Sequence, residues 1–380
     1  MAALTPLLGA QSGHVTYSVV IQTGDRVAGR AVTYLGSPAI NNKGLIVFTA
    51  RFENDRLDCA GVTAQALCVS AVVASSQGAT RILAKAGDRI DGQTLTWISD
   101  PVSLNGAGTV AFAAGTKEFE TGARLGQHAI FTENHLIAKP RDRIDGCTIS
   151  EIGASENAVL DPRPVVDEQG EVFFSAGSIG PCRGKVLNTN LFTQQRVVRL
   201  AREPGGYFDV SGRGVIGALT DRGIYDRTGA IVQIGTKIDG ERVDGIGPPA
   251  INNAGRVVFP GQFGCKAAGC LNAIATRARL IAKAGDMMGG YEVAEFWTPL
   301  INNRDAIVFR GLIDPEKVNF LLYSSELGVI AKPGDMIGGH IVASAGRPVR
   351  ASYAGMNDEG LVVFLAVFAD GSEAIVQARR

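Results

Sequence analysis

The most regular feature of this sequence is a short apolar run that follows a polar turn and returns along the chain. Residues 37–50 read SPAINNKGLIVFTA, and related segments at 248–261 and 298–311 read PPAINNAGRVVFPG and TPLINNRDAIVFRG. Asn and Gly tolerate positive φ and are typical of hairpin turns, and the β-branched and aromatic residues that follow favour a strand. The pattern therefore predicts repeated antiparallel hairpins.

Seven segments carry this pattern of turn and strand. They begin at Ile40, Leu104, Val166, Val210, Ile251, Ile301 and Met356. Recurrence at about 40 to 65 residues indicates a repeat architecture rather than several unrelated domains.

A second repeated element lies between the hairpins. It reads RILAKAGDRIDG at 81–92, LIAKPRDRIDG at 136–146, LIAKAGDMMGG at 280–290 and VIAKPGDMIGG at 329–339. A further strand precedes it, so each unit has four strands, A to D, with the Asn turn between A and B. Four-stranded antiparallel units in tandem, apolar at nearly every position, predict propeller blades that pack on both faces. A long β-sandwich or a β-helix is the alternative.

The two ends of the chain predict how the ring closes. After the seventh hairpin the sequence supplies strands B and C, and a lone D-type segment stands at 17–29, before the first hairpin. Pairing of these ends would remove exposed strand edges. We therefore predict an all-β fold, a seven-bladed β-propeller in a single domain over 1–380, in which 17–29 completes blade 7. The expected blades lie at approximately 31–92, 94–146, 148–206, 207–240, 242–290, 291–339 and 341–380.

The repeat resembles the N-x-x-G-x-V-x-F … G-I-Y … L-x-x-I-A-x-x-G-D units of many uncharacterised secreted bacterial propeller proteins. The resemblance covers nearly the whole chain, and it implies the fold without implying a reaction. The fourth unit, with VSGRG, and the sixth, with Asp305 in place of Gly, depart from the pattern. The segment GRGVIG at 212–217 matches a dinucleotide-binding fingerprint, but a strand and not a helix is expected after it.

Charge narrows the classes of partner. Lys plus Arg and Asp plus Glu each number 37, so the net charge is zero and nucleic acid is not expected as a partner. No apolar run reaches the roughly 18 residues of a membrane helix. We predict no cofactor and no metal site, a small-molecule or glycan ligand, and a monomer.

The six cysteines suggest an oxidising compartment. Cys59 and Cys68 form one close pair, Cys265 and Cys270 another, and Cys147 with Cys182 is a plausible third. Local cysteine pairs in loops favour disulfides and hence a secreted or periplasmic protein. Six unrelated thiols in a cytoplasmic protein are the alternative.

The loops opposite the Asn turns, B–C and D–A, carry the irregular sequence, so we expect one central funnel site on that face. The expected catalytic residues are His340, Tyr353, Arg350 and Arg163. The expected substrate-binding residues are Trp97, Asp100, Asp161, Tyr207, Asp209, Asp244, Glu295, Trp297 and Arg347. Arg can bind a carboxylate in a bidentate pair, and His or Tyr beside it can transfer a proton. Salt bridges and hydrogen bonds between blades are the alternative role for each.

These residues favour, narrowly, a lyase or hydrolase that acts at the funnel on a carbohydrate, with or without uronic acid, or on another polar substrate. One alternative is a secreted binding module for a glycan or protein, without catalysis. Another is a cyclase or isomerase of specialised metabolism. Because the B–C loops differ between units, a single site is expected rather than many equivalent ones.

Overall fold

The computed structural model describes residues 15–55, 57, 68–119, 128–152, 163–180, 189–202, 204, 207–267, 269–346 and 354–380. Within these ranges the protein is an all-β propeller, and its helical content is one 3₁₀ turn at Lys117–Phe119. Seven of the sheets have four or more strands, and we number them 1 to 7 in chain order.

The first three sheets take up the N-terminal half. Sheet 1 comprises Arg26–Val27, Arg30–Leu35, Ala39–Ile40, Ile46–Phe52, Ala71–Ser76 and Ala79–Lys85. Sheet 2 comprises Cys68–Val69, Arg89–Ile90, Gln93–Ser99, Ser103–Leu104, Val110–Thr116, Ala129–Thr132 and Leu136–Ala138. Sheet 3 comprises Arg143–Ile144, Cys147–Glu151, Val165–Val166, Val172–Ile179, Thr189–Thr193 and Val197–Val198.

The remaining sheets follow in the same order. Sheet 4 comprises Phe208–Val210, Ile216–Thr220, Gly223–Tyr225 and Ala230–Gln233. Sheet 5 comprises Lys237–Ile238, Glu241–Ile246, Ala250–Ile251, Val257–Lys266, Gly269–Thr276 and Leu280–Lys283. A ribbon of Met287–Met288 and Tyr291–Glu292 precedes sheet 6, which comprises Glu295–Ile301, Ile307–Asp314, Asn319–Ser324 and Gly328–Ala331. Sheet 7 comprises Thr16–Gln22, Met336–Ile337, His340–Ala345, Ala354–Met356, Val362–Phe368 and Glu373–Arg379.

The predicted pairing of the chain ends is present. Thr16–Gln22 runs antiparallel to Glu373–Arg379, with Thr16 opposite Arg379 and Gln22 opposite Ala374. The prediction placed all of 17–29 in this closing strand, whereas Arg26–Val27 pairs with Arg30–Leu35 in sheet 1. The difference arises because the residues after Gly24 turn back as a hairpin.

Similar hairpins precede other sheets, for example at the segments GDRIDG and GDMIGG. Asp91 and Gly92 have φ of 45° and 83°, and Gly338 and Gly339 have φ of 58° and 88°, as a type I′ turn requires. Arg89–Ile90 therefore pairs with Gln93–Ser99 of the following sheet, which moves the sheet boundaries a few residues upstream of those predicted. The positive φ of both turn residues accounts for the Asp-Gly and Gly-Gly pairs.

Hydrophobic clusters join each sheet to the next. One contains Ala113 of sheet 2 and Ile149 of sheet 3, another Val308 of sheet 6 and Val376 of sheet 7. The cluster that contains Ile21 and Val32 joins sheet 7 to sheet 1, so the cycle closes. Every residue of Val110–Thr116 is buried, because this strand packs against neighbours on both faces.

The Asn turns form a hydrogen-bonded ring at the axis, which explains why the motif repeats. In Asn302 the side-chain oxygen accepts from the backbone nitrogens of Arg304 and Ala306, at 3.0 and 2.9 Å. The amide nitrogen donates to the backbone oxygen of Asn357 in the next sheet, at 3.0 Å. Asn supplies the acceptor that its own turn needs and the donor that the neighbouring turn needs.

The same donor bond recurs around the axis. It joins Asn41 to Asn105, Asn105 to Asp167, Asn252 to Asn302, Asn302 to Asn357, and Asn357 back to Asn41. Sheets 3 and 4 have Asp167 and Ser211 at this position, which lack the amide. There the backbone nitrogen of Glu168 donates to the backbone oxygen of Gly212, at 2.9 Å. The backbone nitrogen of Arg213 donates to the side-chain oxygen of Asn253, also at 2.9 Å.

Candidate functional site

Strand A is divided in most sheets, contrary to the prediction of one continuous strand, and this division shapes the axis. In sheet 1, Arg30–Leu35 pairs with the end of Ile46–Phe52, and the short Ala39–Ile40 pairs with its beginning. The short inner strands from successive sheets converge on the axis. Gly355 is needed there, because a Cβ on it would lie 3.0 Å from Ala39 Cα of the neighbouring sheet.

A cavity of about 270 Å³ lies between these inner strands, and we call it the axial cavity. Its wall combines apolar side chains with polar groups from several positions. The lining residues are Pro38, Ala39, Ile40, Pro101, Val102, Ser103, Leu104, Asn105, Arg163, Val165, Val166, Glu168, Asp209, Val210, Gly212, Leu300, Ala354, Gly355 and Met356. A smaller cavity of about 180 Å³ at the Asn turns shares several of these residues and continues along the axis.

Arg163 and Asp209 bring opposite charges to the axial cavity. Arg163 precedes the inner strand of sheet 3 and donates to the backbone oxygen of Phe208 in sheet 4, at 3.3 Å. Asp209 Oδ2 accepts from the backbone nitrogen of Ile251 in sheet 5, at 2.9 Å. Burial raises the pKa of the Asp209 carboxyl, and the nearby Arg163 guanidinium and the backbone hydrogen bonds oppose that effect only in part. A carboxyl that keeps its proton to higher pH than an ordinary Asp suits proton donation.

Glu168 is a second carboxylate at this wall, and sequence analysis missed it. Both of its oxygens accept from the backbone nitrogen of Gly106, each at 3.0 Å. A Cβ on Gly106 would lie 2.5 Å from the carboxylate, so a larger residue there would displace the Glu168 side chain. The available signal was that Glu168 replaces the second Asn of the turn motif.

A separate cavity of about 260 Å³ lies between sheets 5 and 6, and we call it the lateral cleft. Its lining residues are Gly245, Ile246, Gly247, Pro248, Pro260, Gly261, Gln262, Asn272, Ala273, Glu295, Phe296, Trp297 and Thr298. Two predicted binding residues, Glu295 and Trp297, therefore lie together, but away from Arg163 and Asp209.

Arg310 supports the lateral cleft and was also missed. It is 1% exposed, and its guanidinium lies 5.6 Å from the Trp297 ring centre and 4.7 Å from that of Phe320. These distances are typical of cation–π contacts. A charged residue inside the strand sequence IVFRG was the signal.

Three predicted binding residues hold neighbouring elements together instead of facing a cavity. Asp100 is buried and accepts from Ser37 N, Ser37 Oγ and Thr49 Oγ1 at 2.9, 2.8 and 2.8 Å, which joins sheet 1 to sheet 2. Trp97 is 3% exposed and packs edge-on against His128. The third, Asp244, accepts from Cys265 N at 2.7 Å. Asp100 therefore has the alternative role of joining two sheets, whereas Trp97 and Asp244 contact residues of their own sheets.

His340 and Tyr207 are not among the residues that line the three cavities described. His340 Nδ1 lies 2.9 Å from Asp370 Oδ2, and its ring stacks on Phe368 at 5.0 Å between centres. Tyr207 is half-buried, and its backbone oxygen accepts from Leu219 N. Asp161, Arg347, Arg350 and Tyr353 lie outside the described residues.

The disulfide between Cys265 and Cys270 is confirmed. It lies in a hairpin of Val257–Lys266 and Gly269–Thr276, where the sequence predicted a loop at 260–270. Cys68 and Cys147 are also disulfide-bonded. Their expected partners, Cys59 and Cys182, lie outside the described residues, so these two pairings stay predictions.

A cyclic array of antiparallel sheets with a cavity on its axis defines a β-propeller protein. The chain belongs to the family of unknown function DUF7453, whose model matches residues 7–347. No curated protein matches the sequence.

Several solved structures have a similar arrangement of strands, at low sequence identity. The chain is 12% identical to a Trypanosoma rangeli sialidase, with a TM-score of 0.38, and covers 96% of its own length but 59% of the sialidase chain. A Xanthomonas campestris gluconolactonase is 10% identical, with a TM-score of 0.34 and coverage of 99% and 93%. The GH93 α-L-arabinofuranosidase of Fusarium graminearum is 10% identical, with a TM-score of 0.35 and coverage of 94% and 96%.

Proposed function

We propose that the protein is a hydrolase that binds a small polar substrate, of the carbohydrate class, in the axial cavity. The observation that carries this proposal is that Arg163 and Asp209 both line the cavity wall, close enough to interact electrostatically, and that burial raises the pKa of the carboxyl. The cavity, at about 270 Å³, lies near the lower end of ligand pockets and suits one or two sugar rings.

In this proposal the two groups have different roles. Arg163 binds a carboxylate or hydroxyl of the substrate, since guanidinium N–H groups suit oxygen acceptors. Asp209, protonated at higher pH than an ordinary Asp, donates a proton to the leaving oxygen. Glu168 is the second carboxylate at the wall, and glycoside hydrolysis generally uses two.

A panel of methyl glycosides, methyl glucuronide and aldonolactones tests the proposal, because the leaving oxygen of each of these compounds needs a proton. We expect Asp209→Asn to lower kcat for the hydrolysed compound by about a hundredfold or more, and Arg163→Ala to raise KM most for the acidic compound. Asp221→Asn is the control, because that carboxyl pairs with Arg202 on the surface. Turnover that is unchanged by Asp209→Asn would exclude this assignment.

The lyase and cyclase alternatives have less support. The lyase mechanism depended on His340 or Tyr353 beside Arg and a carboxylate. His340 is paired with Asp370, away from the cavities described, and Tyr353 lies outside the described residues. A binding module without catalysis would bind the same compounds in the axial cavity without turnover.

We also propose that the ring has seven blades in a single domain. Seven hydrophobic clusters support this number, because each joins two neighbouring sheets of the described residues in cyclic order. The seven axial turns, from Asn41 to Asn357, support it independently. An experimental density map with six radial sheets would contradict the proposal.

We further propose an oxidising compartment, supported by the Cys265–Cys270 bond. Alkylation of the unreduced protein followed by mass spectrometry should find neither cysteine modified.

None of the helical structure in the described residues is long and apolar enough to cross a membrane.

A further inference from the structure

We propose that the lateral cleft is a second ligand site, separate from the axial cavity, that binds a neutral sugar ring of an oligosaccharide. The inference does not depend on the proposed hydrolase activity, because none of the residues that line the cleft lines the axial cavity. It rests on an indole held in place by its neighbours and on polar side chains that have no hydrogen-bond or ion-pair partner among the described residues.

The indole of Trp297 is positioned by buried residues. Phe320 lies 4.9 Å away between ring centres, and Arg310 stacks nearby, and both of these side chains are fully buried. The strand is irregular just after the tryptophan: its register with Ile307–Asp314 shifts between Trp297 and Leu300, and Thr298 has a φ of 39°. Positive φ is rare for a β-branched residue, and such strain is frequent in binding sites. The accessible part of the indole therefore faces the cleft that it lines.

Three polar side chains line the same cleft. Gln262 and Asn272 are directly opposite each other on neighbouring strands of sheet 5. Glu295 is two residues before Trp297 on a strand of sheet 6, so both side chains point to the same side. Among the described residues, none of these three side chains has a hydrogen bond or ion pair. Together they offer amide donors, amide acceptors and carboxylate oxygens to a ligand.

The charge of the groups that line the cleft favours a neutral ligand over an acidic one. Among the described residues, the lining of the cleft includes the carboxylate of Glu295 and no Lys, Arg or His, and the buried Arg310 lies against the Trp297 ring. An acidic sugar would be repelled, whereas a neutral sugar presents hydroxyls to the polar groups and an apolar ring face to the indole. The volume, about 260 Å³, suits one ring. The axial cavity, with Arg163, has the opposite preference.

Isothermal titration calorimetry with cellohexaose, arabinohexaose and chitohexaose tests the site, with hexagalacturonic acid as the acidic comparison. The sequence has two tryptophans, and Trp97 is buried, so protection of Trp297 from acrylamide quenching reports occupation of the cleft directly. We expect at least one neutral hexamer to bind and to protect Trp297, and hexagalacturonic acid not to protect it.

Single substitutions show which of the two cavities the ligand occupies. Trp297→Ala should weaken it more than tenfold, and Glu295→Gln and Gln262→Ala severalfold each, while Arg163→Ala leaves it unchanged. Trp297→Phe keeps an aromatic ring beside Arg310 and should retain folding with intermediate affinity, which separates loss of binding from loss of structure. Absence of binding by all three neutral hexamers overturns the inference. Binding that is lost in Arg163→Ala but kept in Trp297→Ala also overturns it and assigns the ligand to the axial cavity.

Discussion

The side chain of Asn302 donates a hydrogen bond to the backbone oxygen of Asn357, 3.0 Å away in the next sheet. Asn302 is 5% exposed, and its own oxygen accepts two backbone N–H groups of its turn. One residue therefore fixes a hairpin and joins two sheets at the axis. The bond is repeated around the ring, which ties the local turn to the closure of the whole fold.

Asn302→Ala should destabilise the protein by about 2–4 kcal/mol, because it leaves buried backbone donors and an acceptor without partners. Asn302→Ser is the matched variant. A serine oxygen can accept both turn N–H groups, as Ser211 does in sheet 4, but cannot replace the amide donor. We expect about half the loss for it, measured by urea unfolding. Equal losses for the two variants would mean that the turn acceptor contributes nothing.

Asp167 occupies the position in the hydrogen-bonded ring where most sheets have Asn. We expect its replacement by Asn to stabilise the protein to a degree that depends on pH. Burial raises the pKa of its carboxyl, with backbone hydrogen bonds in opposition. The folded protein then holds this proton to higher pH than the unfolded chain, so wild-type stability falls as pH rises from the ordinary Asp pKa through the raised one. Asp167→Asn removes that loss and restores an amide.

We expect Asp167→Asn to be more stable than wild type by about 1 kcal/mol at pH 7. The advantage should shrink as the pH falls through the raised pKa towards about 4, the ordinary value for Asp. Denaturant titrations of both proteins at a series of pH values provide the measurement. An advantage that grows on acidification would contradict the assigned sign.

Closure of the ring by Thr16–Gln22 can be tested with two residues of that strand. Ile21 is 3% exposed and belongs to the cluster between sheets 7 and 1, whereas Val19 is 36% exposed. Ile21→Ala should cost about 2–4 kcal/mol, because it opens a cavity in that cluster. Val19→Ala should cost less than about 1 kcal/mol. Similar small losses for both would show that the strand adds little to closure.

The carboxyl of Asp370 has a pKa lowered to about 2. The largest cause is the hydrogen bond from the Ser372 hydroxyl, followed by that from the Ser372 backbone, and the His340 bond comes third. Ser372→Ala should therefore raise this pKa more than His340→Ala does. Carbon-detected NMR titration of Asp370 measures both, and the reverse order would make His340 the principal partner.

The sequence by itself determined the repeated hairpins, the all-β class and the pairing of the two chain ends. These follow from local chemistry: Asn and Gly at turns, β-branched residues in strands, and an unpaired strand at each end. Four of the residues that it singled out, Arg163, Asp209, Glu295 and Trp297, line cavities, and their role in binding or catalysis stays a prediction.

Only the tertiary structure decided which of these residues share a site. Arg163 and Asp209 come from adjacent sheets at the axis, while Glu295 and Trp297 lie at the interface of two others. Asp100 looked equally suited to binding, yet the neighbouring sheet surrounds it with donors from Ser37 and Thr49. A sequence pattern shows the type of a side chain and the face of its own strand on which it lies. The groups that meet it come from strands about 50 residues away, and their positions depend on how the sheets pack around the axis.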